Sequence, residues 1–443
     1  MPRTTQIFCA STLYGAATLA AAIESDCFAA ADRRLLLVCN NAATPETTPA
    51  VDEMPGFEPL RDHFDAVLSW NEAIDPFHPG AWSPRPDDIP LFERYVRLLW
   101  GLGDDRVELV MESIQVTPAL TIAQLFTGAP IDVYADGLMS YGPTRNKLDP
   151  LVGTRVRRLL HLDLVPGLTP LLLTEFDVPA QTVPADAFLK VLGQVGASVP
   201  RLPDLPDNAA LLLGQYLSAL NILSPQEEED LHVRMMRGAV ARGHRAVVFK
   251  PHPTAPARYS RALENEADKL GVDLTVLDTP VLAEVLFEKA RPALVVGCFS
   301  TALFTASAFY DLPVARIGTK PLLDRLTPFQ NSNRVPATLA DALLPDLEDR
   351  KGEDIVPADT LAALVTAVGF VMQPQIHPDL RPAAERYLGE HFGPRTQRYF
   401  KRKRLTSLGL PGGIPERLAF LPRSSTARRV VRRARALRKA VRR

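Results

Sequence analysis

The sequence has few cysteines, and they form no pattern typical of a metal site or a disulfide framework. The four lie far apart, without C-x-x-C or Cys/His spacing, at Cys9, Cys27, Cys39 and Cys298. Two of them fall within apolar runs that predict strands, so we expect buried, reduced thiols. This usage favours a reducing compartment and gives no support to a structural zinc site.

Long apolar runs are also missing from the sequence. No segment reaches the roughly 18 consecutive apolar residues that a membrane-spanning helix requires. The apolar stretch at residues 16–23 is short and follows a predicted strand, so it indicates a first helix rather than a signal peptide. We therefore expect a cytoplasmic protein.

The common phosphate-binding loops are absent as well. There is no GxxxxGK followed by serine or threonine, and Gly101-Leu102-Gly103 lacks both the third glycine and the preceding strand of a GxGxxG loop. ATP hydrolysis and dinucleotide-dependent chemistry therefore lose support. An Asp-x-Asp motif, whose carboxylates would hold a Mg²⁺ ion, is also missing.

Length and composition indicate a globular chain with more than one domain. The 443 residues exceed what one hydrophobic core usually accommodates, and 46% of them are hydrophobic and 23% charged. Short β-rich runs alternate with helical patterns, which is typical of parallel sheets with crossover helices. We predict an α/β fold with two Rossmann-like domains that face a central cleft.

The predicted elements form two groups on either side of a proline-rich stretch at residues 178–207, which we interpret as a linker. The predicted strands are 6–10, 35–39, 66–69, 107–111 and 131–134 in the first group, and 210–213, 246–250, 274–277, 293–296 and 314–317 in the second. The predicted helices are 15–23, 90–100, 118–126, 226–241 and 257–270. The predicted divisions are a first domain at 1–195, a second at 196–356, helices at 357–394 that return to the first domain, and a basic tail at 395–443.

The candidate functional residues follow predicted strands at their carboxyl ends. Open α/β sheets place their ligand sites there. The first is Asp136, in Tyr134-Ala135-Asp136-Gly137, where the glycine permits a tight turn that directs the carboxylate toward the cleft. A carboxylate there can deprotonate an acceptor hydroxyl. An Asp-Gly pair that only makes a turn is the alternative interpretation.

The second motif is Lys250-Pro251-His252-Pro253, which ends a predicted strand. Its two prolines restrict the backbone and aim a lysine and an imidazole out of the sheet. These groups suit a phosphate, and His252 can stabilise the negative charge on a departing nucleotide. The alternatives are a plain His-Pro turn and, for Lys250, an exposed surface charge.

Two further candidates lie near predicted helix N-termini in the second domain. Ser300 and Thr301 follow the predicted strand at 293–296, and backbone N–H groups and the helix dipole attract a phosphate at such a place. A simple N-cap is the alternative. Glu284 lies near the start of the helix between the two phosphate motifs, where it either binds ribose hydroxyls or only favours the helix N-terminus.

In this order, the Asp-Gly turn, the Lys-Pro-His-Pro turn, the glutamate and the Ser-Thr helix start resemble the bacterial sialyltransferases, and especially the α-2,8-polysialyltransferase-like group. The resemblance covers roughly residues 5–320. It implies a GT-B glycosyltransferase of polysaccharide biosynthesis, with an acceptor-side first domain and a nucleotide-sugar second domain. The expected substrates are a CMP-activated sialic acid and a glycan acceptor.

The resemblance also implies roles for individual residues. Asp136 corresponds to the general base, His252 with Ser300 and Thr301 to the site of the CMP phosphate, and Glu284 to the ribose-binding residue. The family's acidic-acidic-Gly motif has an alanine, Ala135, at its first position in this sequence, so one carboxylate is expected there. The segment at residues 137–145 that follows it has no role that the sequence explains.

The implied mechanism is a single displacement with inversion, in which Asp136 accepts the acceptor proton while Lys250 and His252 stabilise the CMP phosphate. Cationic and N–H groups would then neutralise the charge that Mg²⁺ neutralises elsewhere, so we expect neither a metal nor a cofactor. Ser11 and Thr12 follow the first predicted strand at the same cleft. They are predicted to contact the sugar or acceptor, or else to cap the next helix.

Charge is distributed unevenly along the chain. Residues 395–443 contain 17 Lys/Arg and one acid, whereas the rest of the chain contains 33 against 50. The part from Arg423 to Arg443 has ten Lys/Arg, no acid and an apolar stripe at helical spacing. A basic amphipathic helix fits an anionic membrane, so we expect peripheral attachment to the inner face of the plasma membrane. A solvated tail is the alternative, and nucleic acid is a less favoured target.

Two other functions remain open at this point. The Lys-Pro-His-Pro motif also resembles motifs of cell-envelope transferases of the CDP-glycerol or Kdo type, which use other activated donors. The alanine at position 135 is compatible with a degenerate GT-B protein that binds a glycan or a partner without turnover.

Overall fold

The computed structural model describes the chain at residues 2–199, 205–206, 208–252, 258–277, 279–349 and 356–414. These residues contain two parallel sheets, of seven and five strands, with helices between the strands. The predicted α/β class with two Rossmann-like domains is confirmed. Two such domains around a cleft are the GT-B arrangement.

The first domain contains the seven-stranded sheet. Its strands are β1 (Thr4–Ala10), β2 (Arg33–Val38), β3 (Ala66–Ser69), β4 (Arg106–Glu112), β5 (Ile131–Ala135), β6 (Val156–Leu162) and β7 (Ala180–Val183). Its helices are α1 (Leu13–Glu24), α2 (Glu58–Arg61), α3 (Trp70–Ala73), α4 (Ile89–Leu99), α5 (Ala119–Leu125), α6 (Pro150–Gly153) and α7 (Ala185–Ser198). The strands are parallel in the order β3-β2-β1-β4-β5-β6-β7.

The second domain contains the five-stranded sheet, in the order β10-β9-β8-β11-β12. Its strands are β8 (Ala210–Leu213), β9 (Ala246–Lys250), β10 (Asp273–Val276), β11 (Leu294–Gly297) and β12 (Val314–Arg316). The helices that follow are α8 (Pro225–Ala241), α9 (Arg258–Leu270), α10 (Ala283–Ala290), α11 (Thr301–Tyr310), α12 (Thr319–Arg325), α13 (Arg334–Leu343), α14 (Ala358–Met372), α15 (Arg381–His391) and α16 (Arg402–Ser407).

Both sheets are built outward from a central strand, and this order decides where a ligand can bind. In the first sheet the chain moves from β1 to β2 and β3, and then returns to the other side of β1 at β4. In the second sheet the same reversal lies between β8 and β11. The crossovers diverge at these two points, which opens a crevice at the carboxyl ends of the strands.

Helix α1 starts at this crevice and is buried along most of its length, and most of its side chains are small. Its sequence, LYGAATLAAAIE, is rich in alanine, and ten of its twelve residues are buried. It packs against α7, and two residues separate its first residue from the end of β1. Alanine favours the helix and permits the close approach of neighbouring elements.

The prediction of a linker at 178–207 is wrong for most of that stretch. It contains strand β7 and helix α7, whose Phe188, Val191, Leu192 and Val195 form one fully buried face. This spacing of three, four and seven residues is helical, and the flanking prolines concealed it. Helix α7 contacts α1 of the first domain and α10 of the second, so the predicted boundary at residue 195 falls inside a helix that both domains share.

Strand β6 was not predicted because its arginines interrupt the apolar pattern. Arg157 and Arg158 on this strand pair with the buried Asp132 of β5, at 2.8 and 3.0 Å. The charges are therefore neutralised inside the first domain, and the rest of the strand is buried. Strand β7 is a four-residue edge strand with little apolar signal.

The first part of the basic tail predicted at 395–443 packs against the folded chain. Tyr399, Phe400 and Leu405 are buried, and the Tyr399 hydroxyl donates to Asp341 Oδ2 at 3.0 Å. These apolar anchors hold the basic segment, including α16, against the second domain. The stretch from Arg423 to Arg443 lies outside the described residues, so its predicted membrane-binding helix stays a prediction.

The end of helix α14 lies against the first domain. The Gln373 side chain donates to the carbonyl of Arg145, and Gly369 lies close to Leu171. Over the part of the chain that the structure describes, no helix is both long enough and apolar enough to span a bilayer. The four cysteines are buried and unpaired, as predicted.

Candidate active site

A side-chain hydrogen bond crosses each of the two switch points. In the first domain, Glu112 at the end of β4 accepts from the N–H and the hydroxyl of Ser11, after β1, at 2.9 and 2.6 Å. In the second, Gln215 after β8 accepts from the N–H of Phe299, after β11, at 3.0 Å. Both crevices are therefore lined by polar groups whose positions are fixed.

Asp136 directly follows β5 and lies beside the N-terminus of α1. Thr12 caps that helix by accepting from the N–H of Gly15 at 2.9 Å, and its hydroxyl donates to Asp136 Oδ2 at 3.4 Å. A Cβ added to Gly15 would lie 3.2 Å from the same Asp136 oxygen. The glycine therefore permits the helix to approach the carboxylate closely.

The pKa of Asp136 is raised to about 7, which changes what this carboxylate can do. Burial is the larger cause and the negative charge of Glu112 the second, while the Thr12 hydrogen bond acts in the opposite direction. At neutral pH, Asp136 is therefore poised between its ionised and protonated forms. A carboxylate in this condition is a stronger base than an exposed one.

The expectation of a single carboxylate at this place needs correction. Position 135 is a buried alanine at the end of β5, but Glu112 on the adjacent strand β4 interacts with Asp136. Glu112 is itself half-buried, and burial raises its pKa. Sequence reasoning missed Glu112, although it follows a buried strand as Asp136 does.

The two domains meet directly at the Asp-Gly turn. A Cβ added to Gly137 would lie 3.0 Å from the hydroxyl oxygen of Thr301, at the start of α11. Close by, the hydroxyls of Tyr14 on α1 and Thr305 on α11 lie 3.1 Å apart. The structure therefore brings the Asp136 turn and the Ser300–Thr301 helix start to opposite walls of one narrow cleft.

Lys250 and His252 lie on the second-domain side of this cleft, at the end of β9. Burial lowers the pKa of the Lys250 ammonium, which is partly offset by Glu284. Desolvation by the surrounding protein and then the Lys250 charge lower the pKa of His252, although this residue is exposed. The ring centroid of Tyr216 lies 6.3 Å from that of His252. Pro253, the last residue of the motif, lies outside the described residues.

Ser300 and Thr301 begin helix α11 as predicted from the sequence. Ser300 is the N-cap, and its hydroxyl accepts from the N–H of Ala302 at 3.3 Å. The N-cap that the alternative interpretation predicted is therefore present, and a phosphate contact of Ser300 stays a prediction. The Ser11 hydroxyl donates to Glu112, and its predicted contact with the sugar or acceptor stays a prediction.

Glu284, in the first turn of α10, is far less accessible than a ribose ligand would need to be. It is 3% exposed, and burial raises its pKa to about 7 while Lys250 and a hydrogen bond to Thr305 oppose that shift. Thr305 in turn contacts Tyr14. Glu284 is thus connected through Thr305 to the contact between the domains.

The segment at residues 137–145 gains a structural explanation. Gly142 lies against Val335 of α13, since a Cβ there would be 3.4 Å from the valine. Arg145 donates to the hydroxyl of Ser332 at 3.2 Å. The segment therefore fastens the first domain to the second beside Asp136.

The raised pKa values of Asp136 and Glu284 predict how stability depends on pH. The folded protein retains protons on these groups between about pH 4 and pH 7, where the unfolded chain has released them. The free energy of unfolding should therefore fall as pH rises through that range. Asp136→Asn removes one such group, and we expect it to stabilise the protein by roughly 1–3 kcal/mol at pH 8 and by much less at pH 5.

Urea denaturation of both proteins at the two pH values measures this difference. Asp87→Asn, at an exposed position of the same domain, is the control for loss of one carboxylate. Equal stability of wild type and Asp136→Asn at pH 8 would contradict the raised pKa.

Comparison with known proteins gives one family and several distant structures. A family model described as alpha-2,8-polysialyltransferase matches residues 6–319 of the chain. No functionally curated protein matches it. The similar solved structures include the GT-B domain of a sialyltransferase from Photobacterium damselae, with 11% identity over 76% of this chain and 96% of that chain and a TM-score of 0.38.

MurG from Acinetobacter baumannii has 11% identity over 86% of this chain and 95% of that chain, with a TM-score of 0.40. A UDP-GlcNAc 2-epimerase from Methanocaldococcus jannaschii has 14% identity over 79% and 93%, with a TM-score of 0.41. Similarity at this level carries no argument about function, and the fold rests on the two sheets of the chain itself.

Proposed function

The chain belongs to the alpha-2,8-polysialyltransferase family and is a glycosyltransferase, and from this premise we propose that it transfers sialic acid or a related sugar from a CMP-activated donor to a glycan acceptor. The transfer is a single displacement with inversion and without a metal. The observation that carries the proposal is the meeting of the Asp136–Gly137 turn with the helix start at Thr301 across the cleft.

Asp136 acts as the general base in this proposal. Its ionised carboxylate takes the proton of the acceptor hydroxyl as the hydroxyl oxygen attacks the anomeric carbon, and the bond from that carbon to the phosphate oxygen breaks. CMP leaves with the bonding electron pair. The pKa of about 7 supports the assignment, because a base poised near the working pH combines availability with basicity.

Lys250 and His252, together with the hydroxyls of Ser300 and Thr301, hold the phosphate. Desolvation lowers the pKa values of both basic groups, so the protein alone disfavours their charged forms. The negative charge of a bound phosphate would stabilise those charged forms. The charge that builds on the departing CMP strengthens this interaction in the transition state. These groups supply the neutralisation that Mg²⁺ gives elsewhere, and nucleotide binding should therefore survive EDTA.

Glu284 requires a movement of the domains before it can reach a ribose. In the arrangement described it is buried beside Lys250 and is bonded to Thr305, which contacts Tyr14 of the other domain. Separation at the Tyr14–Thr305 contact would uncover it, and closure over the donor would restore the contact. Such closure is common where an enzyme must exclude water from an activated sugar.

The transfer reaction itself tests the proposal. The full chain is incubated with CMP-sialic acid and an oligosialic acid acceptor, with and without EDTA, and the products are followed by NMR. We expect a new sialyl linkage of inverted anomeric configuration and one CMP per transfer, whether or not EDTA is present. Retention of configuration, or activity that requires a metal, would contradict the mechanism.

The envelope-transferase alternative makes a different prediction. The Lys250–His252 turn also suits a CDP-glycerol or CMP-Kdo donor, since it addresses only the phosphate. If the protein consumes one of these donors and leaves CMP-sialic acid intact, the proposed donor is wrong. The assignment of the phosphate-binding residues would still stand. A catalytically degenerate protein would consume none of them.

The basic tail concerns location rather than chemistry. We propose that the stretch from Arg423 to Arg443 attaches the protein to anionic lipid, with roughly 1 kcal/mol for each engaged basic residue. Sedimentation with phosphatidylglycerol vesicles, compared with neutral phosphatidylcholine vesicles, tests this for the full chain and for a chain that ends at Ile414. Equal sedimentation of the two chains would contradict it.

A further inference from the structure

Glu112 has no part in the mechanism above, yet it lies at the switch point of the first sheet. Both the N–H and the hydroxyl of Ser11 donate to the same oxygen, Glu112 Oε2, at 2.9 and 2.6 Å. Directly after Glu112 the backbone turns sharply, because Ser113 and Ile114 both have a φ of 51°. A left-handed β-branched residue is rare, so the surrounding structure holds this turn firmly.

The contacts of Glu112 lead to Asp136 through two consecutive residues. Ser11 is bound by Glu112, and the next residue, Thr12, donates to Asp136 Oδ2 at 3.4 Å. The three strands involved, β1, β4 and β5, are neighbours in the sheet. A change at Glu112 must therefore move the turn that contacts the proposed base.

Glu112 also acts on Asp136 through its charge. The other titratable groups that face the two carboxylates are phenols and thiols: Tyr134, Tyr14, Cys9 and Cys39. Burial raises the pKa values of Tyr134, Tyr14 and Cys39 well above their usual range. The two carboxylates are half-buried at the carboxyl edge of the sheet. Two like charges in such a place favour retention of one proton between them.

We propose that Glu112 is a positioning residue for Asp136: it fixes the Ser11–Thr12 turn against the base and sets its own negative charge on the neighbouring strand. The catalytic consequence rests on the proposed function. The contacts and the shared proton do not.

The shared proton is tested by NMR titration of the full chain labelled with 13C at the aspartate carboxyl carbons. The resonance of Asp136 is assigned by its loss in Asp136→Asn. We expect Glu112→Gln to lower the apparent pKa of Asp136 by about one unit or more, because a neutral amide replaces the charge. Glu112→Asp, which keeps the charge, should remain near the wild type, and Glu58→Gln, at an exposed site, should have no effect. An unchanged Asp136 titration in Glu112→Gln would overturn the proposal.

If Glu112→Gln does not fold, the reverse experiment decides the question. Coupling between two groups is reciprocal, so Asp136→Asn should lower the apparent pKa of Glu112, followed by 13C at the glutamate carboxyl carbons. An unchanged Glu112 titration would overturn the shared proton.

Kinetics test the catalytic consequence separately. We expect the acid limb of kcat/KM with CMP-sialic acid to move to lower pH in Glu112→Gln and to return in Glu112→Asp. A merely structural role would lower the rate without moving the limb, and that result would overturn the positioning role. A wild type that transfers nothing from CMP-sialic acid contradicts the proposed function instead, and the NMR titration still decides the inference.

Discussion

Asp136→Ala should lower the rate of sialyl transfer by about 10²–10⁴-fold while CMP binding stays within about twofold of the wild type. The carboxylate lies on the first-domain wall of the cleft, whereas the proposed phosphate ligands lie on the other wall. Its loss removes the acceptor of the hydroxyl proton and leaves the nucleotide site intact. Rates are measured by single turnover with CMP-sialic acid, and binding by calorimetry.

Asp136→Asn is the sharper variant, because the amide is nearly isosteric and should keep the contact with Thr12. It should be as inactive as the alanine variant, since an amide cannot accept the proton. Asp87→Asn, at an exposed position of the first domain, controls for general effects of charge. Equal loss of CMP binding and transfer in the two Asp136 variants would contradict the role of base.

His252→Ala should weaken CMP binding by about 10–100-fold, since a hydrogen bond to a charged group contributes about 1.5–3 kcal/mol. Before CMP binds, the imidazole has a lowered pKa, so a bound phosphate must draw a proton toward it. CMP affinity of the wild type should therefore rise as pH falls from 8 to 6, and the variant should lose most of this dependence.

His391→Ala is a suitable control for this experiment, because His391 is an exposed histidine on α15. It should bind CMP as the wild type does at every pH. Unchanged affinity in His252→Ala would show that the imidazole does not contact the phosphate.

Local signals were enough to select Asp136, Lys250 and Ser300, because each lies at the end of a parallel strand or within three residues after it. In a parallel sheet the carboxyl ends of strands share one edge, so residues far apart in sequence are predictable as neighbours. The fold class followed from the same alternation of strands and helices.

Contacts between distant segments could not be predicted in this way. Glu112 matters because β4 lies beside both β1 and β5, which is a property of strand order. The contact of Tyr14 with Thr305 depends on how the two domains dock. Glu284 was recognised by its position on a helix, but its burial depends on the same docking.

Elements were missed where charge or proline concealed their apolar pattern. The arginines of β6 form ion pairs with a buried aspartate, Asp132, on the adjacent strand β5. Helix α7 lies among prolines that indicate a linker when only composition is considered. The start of the basic tail is held by the buried side chains of Tyr399 and Leu405. These two apolar residues are hard to recognise as anchors in a segment that consists largely of lysine and arginine.

Calorimetric titration of the full chain with CMP, CDP, UDP and GDP, each with and without EDTA, tests the central claim most directly. It requires no knowledge of the acceptor and reports on the nucleotide site alone. We predict selective binding of CMP with an affinity that EDTA does not change. Preference for another nucleotide, loss of CMP binding in EDTA, or no binding at all would contradict a metal-independent transferase that uses a CMP-activated donor.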